Sequence, residues 1–217
     1  MKRPFVVVIS GYSGSGKSTL INALSNSLPS CVPMYFDDYA SKGDFPEDIK
    51  SWVDYGGDPN VIKTPELKKH IIELINGNSV TLNKGNGWAK EYGISFDPVS
   101  VELHPSDYII LEEPFGNLRE EVREFVDMVI YLDVRPEISL ARRVYDLNKY
   151  LKNDPATLVH LLDHFLSDYL YGGVREMYHL NGIRVKENAN LVVDTSGNLD
   201  EVARVVTKEI QKASKAL

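Results

Sequence analysis

Residues 11–20 read Gly-Tyr-Ser-Gly-Ser-Gly-Lys-Ser-Thr-Leu, directly after the apolar run FVVVIS at 5–10. The spacing Gly11-x-x-x-x-Gly16-Lys17-Ser18 is the complete P-loop pattern. Its flanks agree with it. Phe5–Ser10 is rich in β-branched and aromatic residues and reads as a buried strand. Leu20, Ile21 and Leu24 recur at helical spacing, so a helix begins inside the loop. Glycines in the loop permit backbone conformations closed to other residues, and successive N–H groups can then turn inward toward phosphate oxygens. The helix N-terminus adds free N–H groups and the positive end of its dipole. The expected nucleotide-binding set is Gly11, Ser13, Gly14, Ser15, Gly16, Lys17, Ser18 and Thr19. In it, Lys17 reaches the β- and γ-phosphates of ATP and the Ser18 hydroxyl serves Mg²⁺.

The rest of the chain sets limits. Its 217 residues suffice for one α/β domain with a substantial core and a small lid. Apolar content of 43% and charged content of 25% are ordinary for a soluble globular protein. A net charge of −7 with no basic run argues against a nucleic-acid binder. No apolar run is long enough to span a membrane, and MKRPFVVVIS is better used as a first strand than as a signal peptide. The single cysteine, Cys31, cannot form an intramolecular disulfide. These features point to the cytoplasm; a homo-oligomer stays open.

Strands are expected at about 31–36, 107–112, 128–133 and 190–194. Helices are expected near 65–76, from Pro136, across 155–180 and over 199–215, with a hairpin-like stretch at 79–103. Strands alternating with helices imply a parallel sheet covered on both faces. The expected fold is α/β, a three-layer fold of the P-loop NTPase type with a central parallel sheet and a small lid. Residues 1–217 then form one domain, with an acceptor-binding insertion at about 41–104 and the lid at about 142–155.

Sites in such sheets gather beyond the carboxyl ends of the strands. YFDDYA puts Asp37 and Asp38 at one such end, and LEEPFG puts Glu112 and Glu113 at another. Phosphoryl transfer to an alcohol needs one carboxylate to take the acceptor's proton and another to help hold Mg²⁺. Asp37 directly follows the apolar run, and Asp38 faces the other way if the strand continues. Arg142 and Arg143 follow a strand near the start of a helix, from which an arginine can stabilise the transferring phosphoryl. Adjacent helical residues do not share a face, so one of the two is expected to do this.

GYSGSGKSTL, YFDDYA, YIILEEPFG and YLDVRPEISLARRVYD, in that order, resemble the uridine kinase and phosphoribulokinase branch of the P-loop kinases. Nicotinamide riboside kinases, in the same broad group, also carry an acidic-acidic-aromatic stretch after the second strand. GGVREMYHLNGIRVKENANLVVDTSG resembles the uridine-kinase tail, with its Arg-x-Met-aromatic run. The resemblance implies Asp37 as general base, Glu112 in the Mg²⁺ shell, Arg142 and Arg143 as the paired arginines, and Arg175 on the substrate side. Tyr39 joins Asp37 and Arg175 in the expected substrate-binding set, and Lys186 matches a lysine before the last strand.

The departures are specific. NKGNGWAKEYG offers Trp88 and Tyr92 where uridine kinases carry a histidine, and NKYLKND replaces their Arg-Gly-Arg lid run. The expected activity is therefore phosphoryl transfer from ATP to a small hydroxyl-bearing acceptor, a nucleoside or another sugar-like alcohol. The alternative is a nucleotide-dependent switch or regulatory ATPase that answers to a protein partner. Asp54-Tyr55-Gly56-Gly57 spells the D-x-x-G of a switch without a preceding strand, and Asp133 ends its strand as a Walker B residue or a helix cap. His160 and His164 lack the third ligand of a metal site.

Overall fold

A computed structural model describes residues 3–84 and 99–216. Its first half runs β1 (Phe5–Gly11), α1 (Lys17–Ser27), β2 (Cys31–Tyr35), α2 (Ile49–Asp54), α3 (Pro65–Ile75), β3 (Val80–Lys84), β4 (Val99–Leu103) and β5 (Tyr108–Glu112). It continues with α4 (Glu120–Arg123), β6 (Met128–Asp133), α5 (Pro136–Leu151), α6 (Pro155–Tyr171), α7 (Val174–Asn188), β7 (Leu191–Asp194) and α8 (Leu199–Ser214). Five strands form one parallel sheet in the order β2-β5-β1-β6-β7. β3 and β4 make a separate antiparallel pair.

The sheet is central because β1 is buried along its whole length. Val6 and Val8 face one core, and Phe5, Val7 and Ile9 face the other, as the pleat requires. On the first side lie Leu67, Ile71 and Leu74 of α3 with Val185 of α7. On the second, Leu20, Ile21 and Leu24 of α1 meet Ala203, Val206 and Ile210 of α8. Truncating one of these leucines to alanine is worth about 2–5 kcal/mol.

The helix expected over 155–180 is two helices. It breaks at Gly172–Gly173, and α7 then runs on to Asn188. Gly173 has φ +84°, and a Cβ there would stand 2.7 Å from the Cα of Lys50. The close approach of α2's leading edge thus demands glycine. Residues 142–151 are the second half of α5, and Asp154 caps α6 through the Thr157 N–H. The segment expected as a lid, 142–155, thus covers the C-terminal part of α5, the turn and the first residue of α6. Trp88 and Tyr92 lie outside the described residues.

Candidate active site

Register decides what meets at the sheet's carboxyl edge. Tyr35 of β2 pairs with Glu112 of β5, and Glu112 pairs with Ile9 of β1. Gly11 pairs with Leu132 of β6. The P-loop, Glu112 and the turn after Tyr35 therefore emerge side by side.

Gly16, with φ +99°, is the N-cap of α1, and no side chain caps it. The N–H groups of the first turn have no acceptor within the helix, so they are available to phosphate. Gly14 has φ +82°, and a Cβ there would collide with the Ser139 carbonyl oxygen of α5. The loop is clasped from behind. Ser139 Oγ donates to the Ser13 carbonyl, and Thr195 Oγ1 donates to the Ser15 carbonyl at 2.9 Å. Ser15 itself is fully buried, whereas Ser18 and Thr19 are exposed to the cleft side. Lys17 Nζ lies 3.1 Å from the carbonyls of both Gly11 and Tyr12.

Ser18 Oγ donates to Glu112 Oε2 at 3.2 Å, and Lys17 Nζ stands 3.5 Å from Glu112 Oε1. Asp37 sits in a single 3₁₀ turn, Phe36–Asp38, that follows β2. Its surface opens to the cleft, while the protein mass around it leaves the carboxylate poorly solvated. That desolvation, and then repulsion from Glu112, raises its pKa; Lys17 and Arg143 oppose the rise. Asp38 turns away and pairs with Lys84 of β3 at 3.4 Å. Of the two aspartates, the structure places Asp37 on the cleft wall.

Two cavities meet at Asp37. The nucleotide cleft, about 420 Å³, is lined by the P-loop, Glu112, Arg142 and Arg143. The second cavity, about 550 Å³, lies between the stretch 41–50 and helices α5, α6 and α7. Asp37, Ser13, Arg143 and Tyr178 line both. Arg142 lines only the first: its Nη2 donates to the Thr195 carbonyl at 2.9 Å, and its buried Nη1 has no partner among the described residues. The adjacent arginines thus divide, one toward the nucleotide and one toward the junction.

Other expected residues lie elsewhere. Tyr39 does not reach either cavity; its hydroxyl bonds His70 Nδ1 at 3.1 Å, and its ring packs on the core. Arg175 pairs with Glu176 at 2.7 Å and lines, with it, a third cavity and neither of the two that meet at Asp37. Lys186 pairs with Asp133 at 2.8 Å. Asp54–Gly57 is the end of α2, with Tyr55 92% exposed, while Trp52 packs beside Phe36 and Phe115. His164 Nδ1 contacts the His160 carbonyl, and no group of three or more metal-binding side chains occurs among the described residues.

Several contributors carry no local signal in the sequence. Arg119 is fully buried and donates to Glu113 (2.7 Å), Thr64 Oγ1 and the Ile62 carbonyl (2.9 Å each). Its guanidinium also lies over the Phe36 ring at 5.1 Å, and so supports the turn that carries Asp37. Thr195, Ser139 and Tyr178 are the others; each lies more than a hundred residues from the loop it contacts, and no local pattern marks it.

A nucleotide cleft that opens at a carboxylate into a second cavity is useful when something besides the nucleotide reacts there, and this defines a P-loop small-molecule kinase. The chain belongs to the phosphoribulokinase / uridine kinase family, a model of which matches residues 6–149. It is similar to the uridine kinase of Clostridium novyi, at 27% identity over 98% of this chain and 97% of that protein. The uridine kinase of Lactobacillus helveticus is 25% identical over 97% and 96%. Among solved structures, a D-glycerate 3-kinase from Cryptococcus neoformans shares the fold, with a TM-score of 0.52 at 15% identity over 91% of this chain and 88% of that one.

Proposed function

We propose that the protein transfers the γ-phosphoryl group of ATP to a hydroxyl group of a nucleoside. The observation that carries this reading is Asp37 on the wall common to the nucleotide cleft and the second cavity. An acceptor hydroxyl there can give its proton to Asp37 as its oxygen bonds to phosphorus and ADP leaves. Such a base contributes about 10²–10⁴ in rate. A nucleotide switch has no use for the second cavity.

Lys17 and the P-loop N–H groups hold the phosphates, and Arg142 and Arg143 face the charge that develops on the transferring group. Ser18 Oγ and Glu112, in mutual contact, offer the hard oxygen donors that Mg²⁺ takes. Mg²⁺ held by them would neutralise phosphate charge. The nucleoside class is supported by the uridine kinases to which the chain is similar. Aromatic walls at Phe36 and Phe45 also suit a ring-bearing acceptor. Within the proposed 41–104 insertion, 41–50 is the described part that reaches the cavity. No described helix is long and apolar enough to cross a membrane, and we place the protein in the cytoplasm.

The test is ADP release from ATP·Mg²⁺ against nucleosides, nicotinamide riboside, pantothenate and sugar alcohols. A nucleoside should stimulate release, and Asp37→Asn should remove the stimulation. ATP binding with no stimulation by any acceptor would return the reading to the switch.

A further inference from the structure

The acceptor cavity is not the last space at that end of the molecule. A further cavity of about 420 Å³ lies behind the P-loop, with apolar walls at Val53, Leu140, Leu180 and Ile183. That volume is within the range of pockets that hold small organic groups. It shares three residues with the acceptor cavity, namely Ser13, Phe165 and Tyr178. Ser13 belongs to the P-loop and is clasped by Ser139. Phe165 and Tyr178 are therefore the part of the shared wall that side-chain choice controls.

Both are held in place. Tyr178 lines all three cavities beside Ser13, and its ring lies 6.1 Å from that of Tyr12 in the P-loop. The Phe165 ring lies under the Arg143 guanidinium at 6.0 Å and beside Tyr169 at 6.1 Å. The wall is thus pinned to the P-loop on one side and to an arginine at the reaction junction on the other.

Its position says what it would exclude. Ser13 and Tyr178 also line the nucleotide cleft, so the wall stands at the reacting end of the acceptor cavity. A substituent stopped there is carried next to the accepting hydroxyl, on the sugar, and not on the distant base. We propose that Phe165 and Tyr178 are specificity-determining residues that close the acceptor site to sugar-side substituents, with the cavity behind them as the space such groups would fill. This rests on the reading that a nucleoside presents its hydroxyl to Asp37.

The experiment compares the nucleoside best used by the wild type with its ribose N-methylanthraniloyl ester, in the wild type, Tyr178→Ala, Phe165→Ala and Tyr178→Phe. The ratio of kcat/KM for ester over parent should rise by at least about tenfold in each alanine variant and stay near the wild-type ratio in Tyr178→Phe, which keeps the ring. An unchanged ratio in both alanine variants overturns the proposal. Thermal unfolding checks that each variant folds, and Phe165→Leu replaces Phe165→Ala if the latter does not. Where a folded variant has lost turnover, fluorescence titration of the ester reports binding, with the nucleotide cleft filled by a non-hydrolysable ATP analogue and Mg²⁺. Tighter binding than in the wild type supports the wall, and equal binding overturns it. If the wild type phosphorylates no nucleoside, the acceptor reading has failed, and the same titration with the uridine ester decides the wall separately.

Discussion

Glu112 accepts a hydrogen bond from Ser18 Oγ at 3.2 Å with one carboxylate oxygen and stands 3.5 Å from Lys17 Nζ with the other. One carboxylate thereby joins the hydroxyl and the ammonium that the nucleotide's phosphates would meet. Glu112→Gln should lower kcat by about 10²–10³, the scale of losing a preorganised electrostatic group. The Mg²⁺ concentration for half-maximal rate should rise as well. Ser18→Ala should act on the same dependence, and the double variant should lose less than the sum because the two residues share one contact. Steady-state rates across a Mg²⁺ series measure this.

Asp37 is poorly solvated and repelled by Glu112, so it holds its proton to higher pH in the folded chain than in the unfolded one. The acid limb of the rate profile should consequently lie above the usual aspartate range, and Asp37→Asn should cost about 10²–10⁴ in kcat while ATP still binds. Stability runs the other way. A raised folded pKa contributes stability that is full below the unfolded value of about 3.9 and is lost as pH rises through the folded value. Asp37→Asn should therefore melt at a higher temperature than the wild type near neutral pH, with the gap closing toward pH 4. Melting curves across that range check the sign.

Arg143 opposes the rise in the Asp37 pKa, and Arg142 does not line the acceptor cavity. Replacing Arg143 with alanine should shift the acid limb further up in pH and raise the acceptor KM. Arg142→Ala should act mainly on kcat and the ATP KM, because Arg142 lines the nucleotide cleft and not the second cavity. Full pH–rate profiles of both variants separate the two roles.

Glu113 and Arg119 form an ion pair at 2.7 Å, with both side chains 1% exposed or less. Removing one partner strands a buried charge. Arg119→Met should cost about 3–5 kcal/mol, a fall in Tm of about 6–20 °C for a chain of this size. Part of the loss should return in Arg119→Met/Glu113→Gln, measured by thermal unfolding. Because Arg119 supports Phe36, activity near the melting range should fall ahead of global unfolding.

The sequence by itself determined the P-loop, the parallel α/β architecture and the acidic strand ends. Each is written locally, in a fixed spacing at Gly11–Ser18, in apolar runs at strand length and in residues that directly follow them. It also offered Asp37 or Asp38 as the base and Arg142 or Arg143 as the lid arginine. Tertiary structure alone separates the members of each pair, because their positions depend on which way a 3₁₀ turn and a helix face are presented. Lys84 draws Asp38 aside, and the Thr195 carbonyl holds Arg142 beside the nucleotide cleft. It also turned Tyr39 toward His70 and Arg175 toward Glu176, and it brought Ser139, Tyr178 and Thr195 against the loop. The contacts of Ser139, Tyr178 and Thr195 with the loop join residues separated by more than a hundred positions, and they exist only once the helices have packed on the sheet.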